Sequence, residues 1–168
     1  MIFSELLWGL GVAQSGGDPE VSGLDYNSRR VQPGWVFVAM RGESSDGNRF
    51  IDTALKHGAV AVVTDSRSER RREHVPWAVV PSGRRALARM SANFYGHPAE
   101  KLKTIGITGT NGKTTTSFLC ESILRSCGNH PALIGTIEYH VPIHALAAKH
   151  TSAQFKVLPA PHTTPEAL

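Results

Sequence analysis

The stretch Thr104-Ile105-Gly106-Ile107-Thr108-Gly109-Thr110-Asn111-Gly112-Lys113-Thr114-Thr115-Thr116 decides how the rest of the chain is read. An alternating apolar run up to Thr108 leads into a glycine-rich turn, and Lys-Thr-Thr then opens a helical pattern. Strand, loop and helix in that order predict a phosphate-binding loop. Glycine lets the backbone turn tightly against an anion, while the first helical N–H groups and the helix dipole point at it. Lys113 is placed to reach the outer phosphates of a nucleotide, and the Thr114 hydroxyl to sit on a bound magnesium ion. The spacing departs from the common G-x-x-x-x-G-K-[ST], because Ile107 stands where that pattern has glycine. What remains is the shorter Gly109-x-x-Gly112-Lys113-Thr114.

Working outward, the helix after the loop carries Leu119, Ile123 and Cys127 along one face, with Cys120 and Leu124 widening an expected buried stripe, and Gly128 and Pro131 end it. Cys120 and Cys127 lie about 10 Å apart along the axis, too far to bridge within the helix. Two free, buried thiols fit a reducing cytoplasm. Ala132 to Thr136 reads as a strand. Glu138 to Pro161 has poor periodicity and recurrent proline, so a long loop or irregular hairpin is expected there. His140, His144 and His150 read as exposed loop histidines, since no carboxylate or cysteine completes a metal set. Thr164-Pro165-Glu166 is a helix start with its cap, first-turn proline and first-turn acid. Two strands and one helix after a phosphate loop do not close a doubly wound sheet, so the chain reads as a fragment.

Toward the N-terminus, Ile2, Leu6, Leu7 and Leu10 have helical spacing behind a Ser4 cap. Val21 to Tyr26 is an expected strand. It is followed by the turn Asn27-Ser28-Arg29-Arg30, a Pro33-Gly34 turn, and the apolar strand Trp35 to Met40. Asn48 is expected to cap a helix that buries Phe50, Ile51, Ala54 and Leu55 and stops at Gly58, before a buried strand from Ala59 to Thr64. Strand, helix and strand at this spacing form a βαβ unit. Trp77 to Val80 is a further strand, and Ser82 caps a helix burying Leu87, Met90 and Phe94. Gly96-His97-Pro98 stops that helix. The expected organisation is α/β, with a small N-terminal domain over 1–98 and, over 99–168, the incomplete start of a parallel-sheet ATPase domain of P-loop type.

Composition agrees with a globular protein that has a real core: 168 residues, 40% hydrophobic, formal charge +4. The basic run from Arg67 to Arg72 lacks the interleaved aromatics of a nucleic-acid platform and reads as a solvated face. Met1 to Leu10 has no basic start or small-residue cleavage pattern, and no apolar run reaches the ~18 residues of a membrane span. Neither nucleic acid nor a membrane is therefore an expected partner.

With these motifs in place, the chain resembles the Mur ligases of peptidoglycan synthesis. Three stretches carry the likeness. Asn27-Ser28-Arg29, Pro33-Gly34, Val36-Phe37-Val38-Ala39, Gly42, Asp46-Gly47 and Gly58-Ala59 resemble the N-terminal UDP-binding domain of the third and fourth ligases. Thr108 to Thr116 resembles the family's ATP loop. Ile134-Gly135-Thr136 with His162-Thr163-Thr164-Pro165-Glu166 favours the third ligase over the fourth.

The resemblance implies an ADP-forming ligase adding the third amino acid, meso-diaminopimelate or L-lysine, to UDP-N-acetylmuramoyl-L-alanyl-D-glutamate through an acyl phosphate. It implies ATP and Mg2+ at Gly109, Thr110, Asn111, Gly112, Lys113, Thr114 and Thr115, with Lys113 catalytic and Thr114 supporting the metal. Tyr26 and Ser28 match positions touching the uridine nucleotide. Glu43, Ser44 and Ser45 match a segment with the same role, although their side chains depart from the His-Gln-Ala of some members. Thr163 and Thr164 match residues that contact the muramyl peptide, beside His162 where some relatives have asparagine. A monomeric cytoplasmic enzyme of cell-wall growth and division is implied, with the selector of the free amino acid outside this chain. Alternatives are the fourth Mur ligase, a folylpolyglutamate synthetase, and a non-catalytic nucleotide or UDP-sugar binding module.

Overall fold

The computed structural model describes residues 1–42, 45–67, 72, 74–143 and 154–160. They form two compact units, one over Met1–Lys103 and one beginning at Thr104.

The first unit is a mixed five-stranded sheet with helices on both faces. Its elements are α1 (Phe3–Leu6), β1 (Gln14–Ser15), β2 (Gly23–Asp25), β3 (Trp35–Ala39), α2 (Ile51–Lys56), β4 (Ala61–Thr64), β5 (Trp77–Val79) and α3 (Gly83–Phe94). Strand order is β1-β5-β4-β3-β2; β2 to β5 run parallel, and β1 pairs antiparallel with β5. The expected βαβ unit is β3–α2–β4, in register from Val36 opposite Ala61 to Ala39 opposite Thr64.

Because side chains alternate across a strand, β3 feeds two cores. Val36, Val38 and Met40 join Val63, Ala78, Leu87, Met90, Phe3 and Leu6 on the face covered by α1 and α3. Phe37 and Ala39 join Val62, Trp77, Ile51 and Ala54 on the face covered by α2. Burial on both sides explains why β3 and β4 read as continuous apolar runs.

Ser82 caps α3, accepting from the Arg85 N–H at 3.4 Å. Replacing it, Ser82→Ala, is expected to lower stability by about 1 kcal/mol, read as a shift in the urea midpoint of the chain. An unchanged midpoint would show that the cap contributes nothing.

Two other caps differ from expectation. Ile2, not Ser4, occupies the N-cap of α1, where Glu5 accepts from the Ile2 N–H; Ser4 lies inside the helix and donates its N–H and hydroxyl to Asp18. Asp46, not Asn48, caps the 3-10 turn Gly47–Phe50 that precedes α2, accepting from the Asn48 N–H. That turn rotates Phe50 into solvent while Ile51 and Ala54 keep the core face.

In the second unit, α4 (Lys113–Ser126) is followed by β6 (Leu133–Ile134), β7 (Glu138–Ile143) and β8 (Gln154–Pro159), an antiparallel sheet in the order β6-β7-β8. The irregular stretch is thus a hairpin with a regular ladder from Glu138 opposite Pro159 to Ile143 opposite Gln154.

Two expectations fail here. Thr104 to Thr108, expected as a strand, joins no ladder among the described residues and leaves Ile105 exposed; an alternating pattern needs a neighbouring strand to supply the hydrogen bonds. The stripe on α4 is also not buried: Leu119 and Ile123 are 59% and 62% exposed, Cys127 is exposed and Cys120 half-buried. Among the described residues, no helix is long and apolar enough to cross a membrane.

Candidate functional site

Two groups of residues have the geometry of binding sites, one in each unit. In the second unit the loop from Gly109 to Gly112 is exposed and delivers the chain into α4. Gly109 has φ +146° and Gly112, the N-cap of α4, has φ +75°, conformations that side-chain-bearing residues rarely adopt. The first intrahelical bond runs from the Thr116 N–H to the Gly112 carbonyl, so the amides before it have no partner inside the helix. Amides without a helical partner at the positive end of a helix dipole suit an anion.

Lys113 folds back over this loop, its Nζ donating to the Gly109 carbonyl at 2.5 Å. An ammonium has three donors, so this bond leaves capacity for phosphate oxygens. Lys113 and Thr114 are half-buried, whereas Thr110, Asn111 and Thr115 are exposed.

The base of α4 is anchored by a charged cluster that local sequence reading missed. Glu121 is only 5% exposed, and both its carboxylate oxygens lie 2.8 Å from His140 Nδ1 on β7. His140 Nε2 lies 2.8 Å from Glu138, and Arg125 pairs with Glu121 one turn along the helix. Arg125 in turn covers the Phe155 ring of β8 at 3.4 Å, and Phe118 meets His140 edge-on. His140 is therefore not an exposed loop histidine: it is 9% exposed and flanked by carboxylates. Burial alone would lower its pKa, but hydrogen bonds and charge from Glu121 and Glu138 outweigh that and raise it. His144 and His150 lie outside the described residues.

In the first unit the candidate residues gather where parallel strands end. The turn Tyr26–Arg30 follows β2 and is organised by buried Asp25, which accepts from the Asn27 N–H at 2.6 Å and pairs with Arg30 Nε at 2.8 Å. The Arg30 guanidinium stands 5.6 Å from the Tyr26 ring centroid. Ser28 is buried, and its carbonyl lies 2.7 Å from His57 Nδ1 at the end of α2, which assigns the proton to that nitrogen.

Ser45 lies beyond the end of β3, the neighbour of β2, and its carbonyl accepts from the Gly42 N–H at 2.8 Å. Glu43, Ser44, His162, Thr163, Thr164 and the helix start at Thr164-Pro165-Glu166 lie outside the described residues. Carboxyl ends of parallel strands are where open α/β sheets bind ligands.

The domain model described as "Mur ligase family, catalytic domain" matches residues 20–95, and "Mur ligase middle domain" matches residues 107–168. The chain belongs to the Mur ligase family. Among curated Mur ligases it is 48% identical over 135 residues to the UDP-N-acetylmuramoyl-L-alanyl-D-glutamate--2,6-diaminopimelate ligase of Solibacter usitatus, covering 80% of this chain and 27% of that protein. It is 41% identical over 150 residues to the UDP-N-acetylmuramyl-tripeptide synthetase of Deinococcus radiodurans, covering 89% of this chain and 29% of that protein. A solved UDP-N-acetylmuramoyl-L-alanyl-D-glutamate--2,6-diaminopimelate ligase superposes with a TM-score of 0.59 at 27% identity, over 88% of this chain and 27% of that one. The chain thus spans little more than a quarter of the length of these Mur ligases.

Proposed function

We propose that this chain supplies the UDP-substrate domain and the ATP loop of a ligase that adds the third amino acid to UDP-N-acetylmuramoyl-L-alanyl-D-glutamate. The observation that carries this reading is the Gly109–Thr116 loop, with open amides, a folded-back Lys113 and helix α4 behind it, in a chain whose other unit brings Ser28 and Ser45 to the ends of adjacent parallel strands. The names of the similar curated proteins support the choice of the third addition over the fourth.

A carboxylate is a poor electrophile. Transfer of the ATP γ-phosphoryl group to it gives an acyl phosphate and ADP; the incoming amine then attacks the carbonyl carbon, phosphate leaves with the C–O bond electrons, the nitrogen gives up a proton to solvent, and an amide remains. The protein's part in the first step is positioning and charge neutralisation. The amides from Asn111 to Thr115 hold phosphate oxygens, and the Lys113 ammonium opposes charge on the β- and γ-phosphates.

The exposed loop and the hydroxyl-bearing, half-buried Thr114 fit a magnesium nucleotide. When bound, the ion neutralises phosphate charge, with Thr114 as its ligand from this chain. Tyr26, Ser28 and Ser45 would contact the uridine nucleotide, and Thr163 and Thr164, with His162 beside them, the muramyl peptide. The reading describes a cytoplasmic enzyme.

The test is incubation of the intact gene product with ATP, Mg2+, the UDP-muramyl dipeptide and either meso-diaminopimelate or L-lysine. The expected result is ADP and a UDP-muramyl tripeptide in equal amounts with one of the two amino acids. ADP-free mixtures, or product only from a tripeptide substrate with D-alanyl-D-alanine, would overturn it.

A further inference from the structure

The first unit contains a carboxylate whose position the proposed chemistry does not explain. Asp65 follows β4 and accepts three N–H donors from separate parts of the chain. Its Oδ2 takes the Arg41 N–H at 3.2 Å, just past β3, and the Gly83 N–H at 3.3 Å, the first residue of α3. Its Oδ1 takes Asn48 Nδ2 at 3.3 Å.

Asn48 is buried and oriented by its neighbours. The same Nδ2 donates to Asp46 Oδ1 at 2.7 Å, and its Oδ1 accepts from the Thr64 hydroxyl. With carboxylates on the nitrogen side and a hydroxyl on the oxygen side, the amide has one favourable orientation. Asp46 is held below its ordinary carboxylate range by the Asn48 side chain and backbone, and so stays an acceptor at neutral pH.

The described residues on either side of Ser45 are tied to this network. Arg41 and Asp46 form a β-bridge, the Gly42 N–H donates to the Ser45 carbonyl, and the Gly47 N–H donates to the Met40 carbonyl at 2.9 Å. Asp65 also lines a pocket of about 380 Å³ with Arg41, Gly42, Ser82 and Arg84. Both carboxylate oxygens accept from protein N–H groups, which suits a support for the surrounding backbone.

We propose that Asp65 is a positioning residue of the UDP-substrate site, acting through the Arg41 and Gly83 backbone and the Asn48 side chain to set the position of Ser45. The inference rests on the first unit being the UDP-substrate domain.

The test is Asp65→Asn in the intact gene product. An asparagine amide cannot satisfy this set of donors, because either orientation turns an NH2 toward an N–H. The expected result is a KM for the UDP-muramyl dipeptide raised about tenfold, equivalent to ~1.4 kcal/mol, with the ATP KM and kcat at saturation within about twofold of wild type. A merely structural role would alter both substrates together or reduce kcat, and either result overturns the inference.

Ser28→Ala is run beside it. If Ser28→Ala raises the dipeptide KM while Asp65→Asn leaves it unchanged, the inference fails and the UDP reading stands; if neither changes it, the UDP reading itself fails. Should Asp65→Asn not fold, Asp65→Ser, which keeps one acceptor, is held to the same criteria.

Discussion

Lys113→Ala in the intact gene product is expected to lower kcat for ADP release by on the order of 10³-fold, with a smaller rise in the KM for ATP. A donor aimed at charge that develops in phosphoryl transfer contributes more to the transition state than to the bound nucleotide, and removing one such group costs about 10²–10³ or more in rate. Lys113 is suited to this because its ammonium bonds a loop carbonyl with one donor, leaving donors for phosphate. The variant is expected to fold normally, since Lys113 is a half-buried first-turn residue of α4 and takes no part in either apolar cluster of the first unit. Near-normal turnover, or loss of turnover accompanied by loss of α4 helicity, would remove the lysine from the chemistry. Lys113→Arg adds a check on geometry: it keeps the charge but replaces a compact ammonium by a planar fork, so a rate close to that of alanine would mean that placement matters more than charge.

What the sequence made legible follows from where its signals are local. The runs at Val36–Ala39 and Ala61–Thr64, each bounded by turn residues, specify β3 and β4 because burial on both faces tolerates only apolar or small residues. Ser82 before an amphipathic run specifies the start of α3 for a similarly local reason. The glycine turn before α4 was readable because its glycines answer a backbone requirement, seen directly in the positive φ of Gly109 and Gly112.

The missed features depend on contacts between distant residues. Asp46 and Asn48 are both good capping residues, and only the buried Thr64 and the half-buried Asp65 place Asn48 in a network and leave the cap to Asp46. Leu119 and Ile123 form a correct helical stripe, but a stripe marks the face that could be covered and not whether a described residue covers it. Glu121 and His140 are the sharpest case: on a helix pattern Glu121 reads as solvent-facing, and only the return of the chain through β7 buries it against histidine.

The last of these yields a prediction about pH. The groups facing His140 are Glu121 on α4, with Arg125 bound to that carboxylate, and Glu138 on β7; its ladder neighbours across the sheet, Leu133 on β6 and Val157 on β8, are uncharged. Its pKa in the folded chain is raised above the ordinary histidine value. The unfolded state therefore gives up this proton at a lower pH than the folded state does. The stabilisation is complete below the unfolded pKa of about 6.5 and fades as pH rises through the higher folded value. His140→Phe keeps an apolar ring against Phe118 but leaves Glu121 with Arg125 alone. At about pH 6 the substitution is expected to cost roughly 3 kcal/mol of local stability, the scale of hydrogen bonds to charged groups. That cost is expected to shrink as pH rises past the folded pKa, because wild type then loses the charged pairs as well. Hydrogen exchange at α4 and β7 amides, corrected for the intrinsic pH dependence of exchange, reads the difference at the clamp itself and does not require the two units to unfold together. A protection difference that stays constant from about pH 5 to 9 would mean that His140 acts there as a neutral packing group, and the ionic tie between α4 and the hairpin would have to be abandoned.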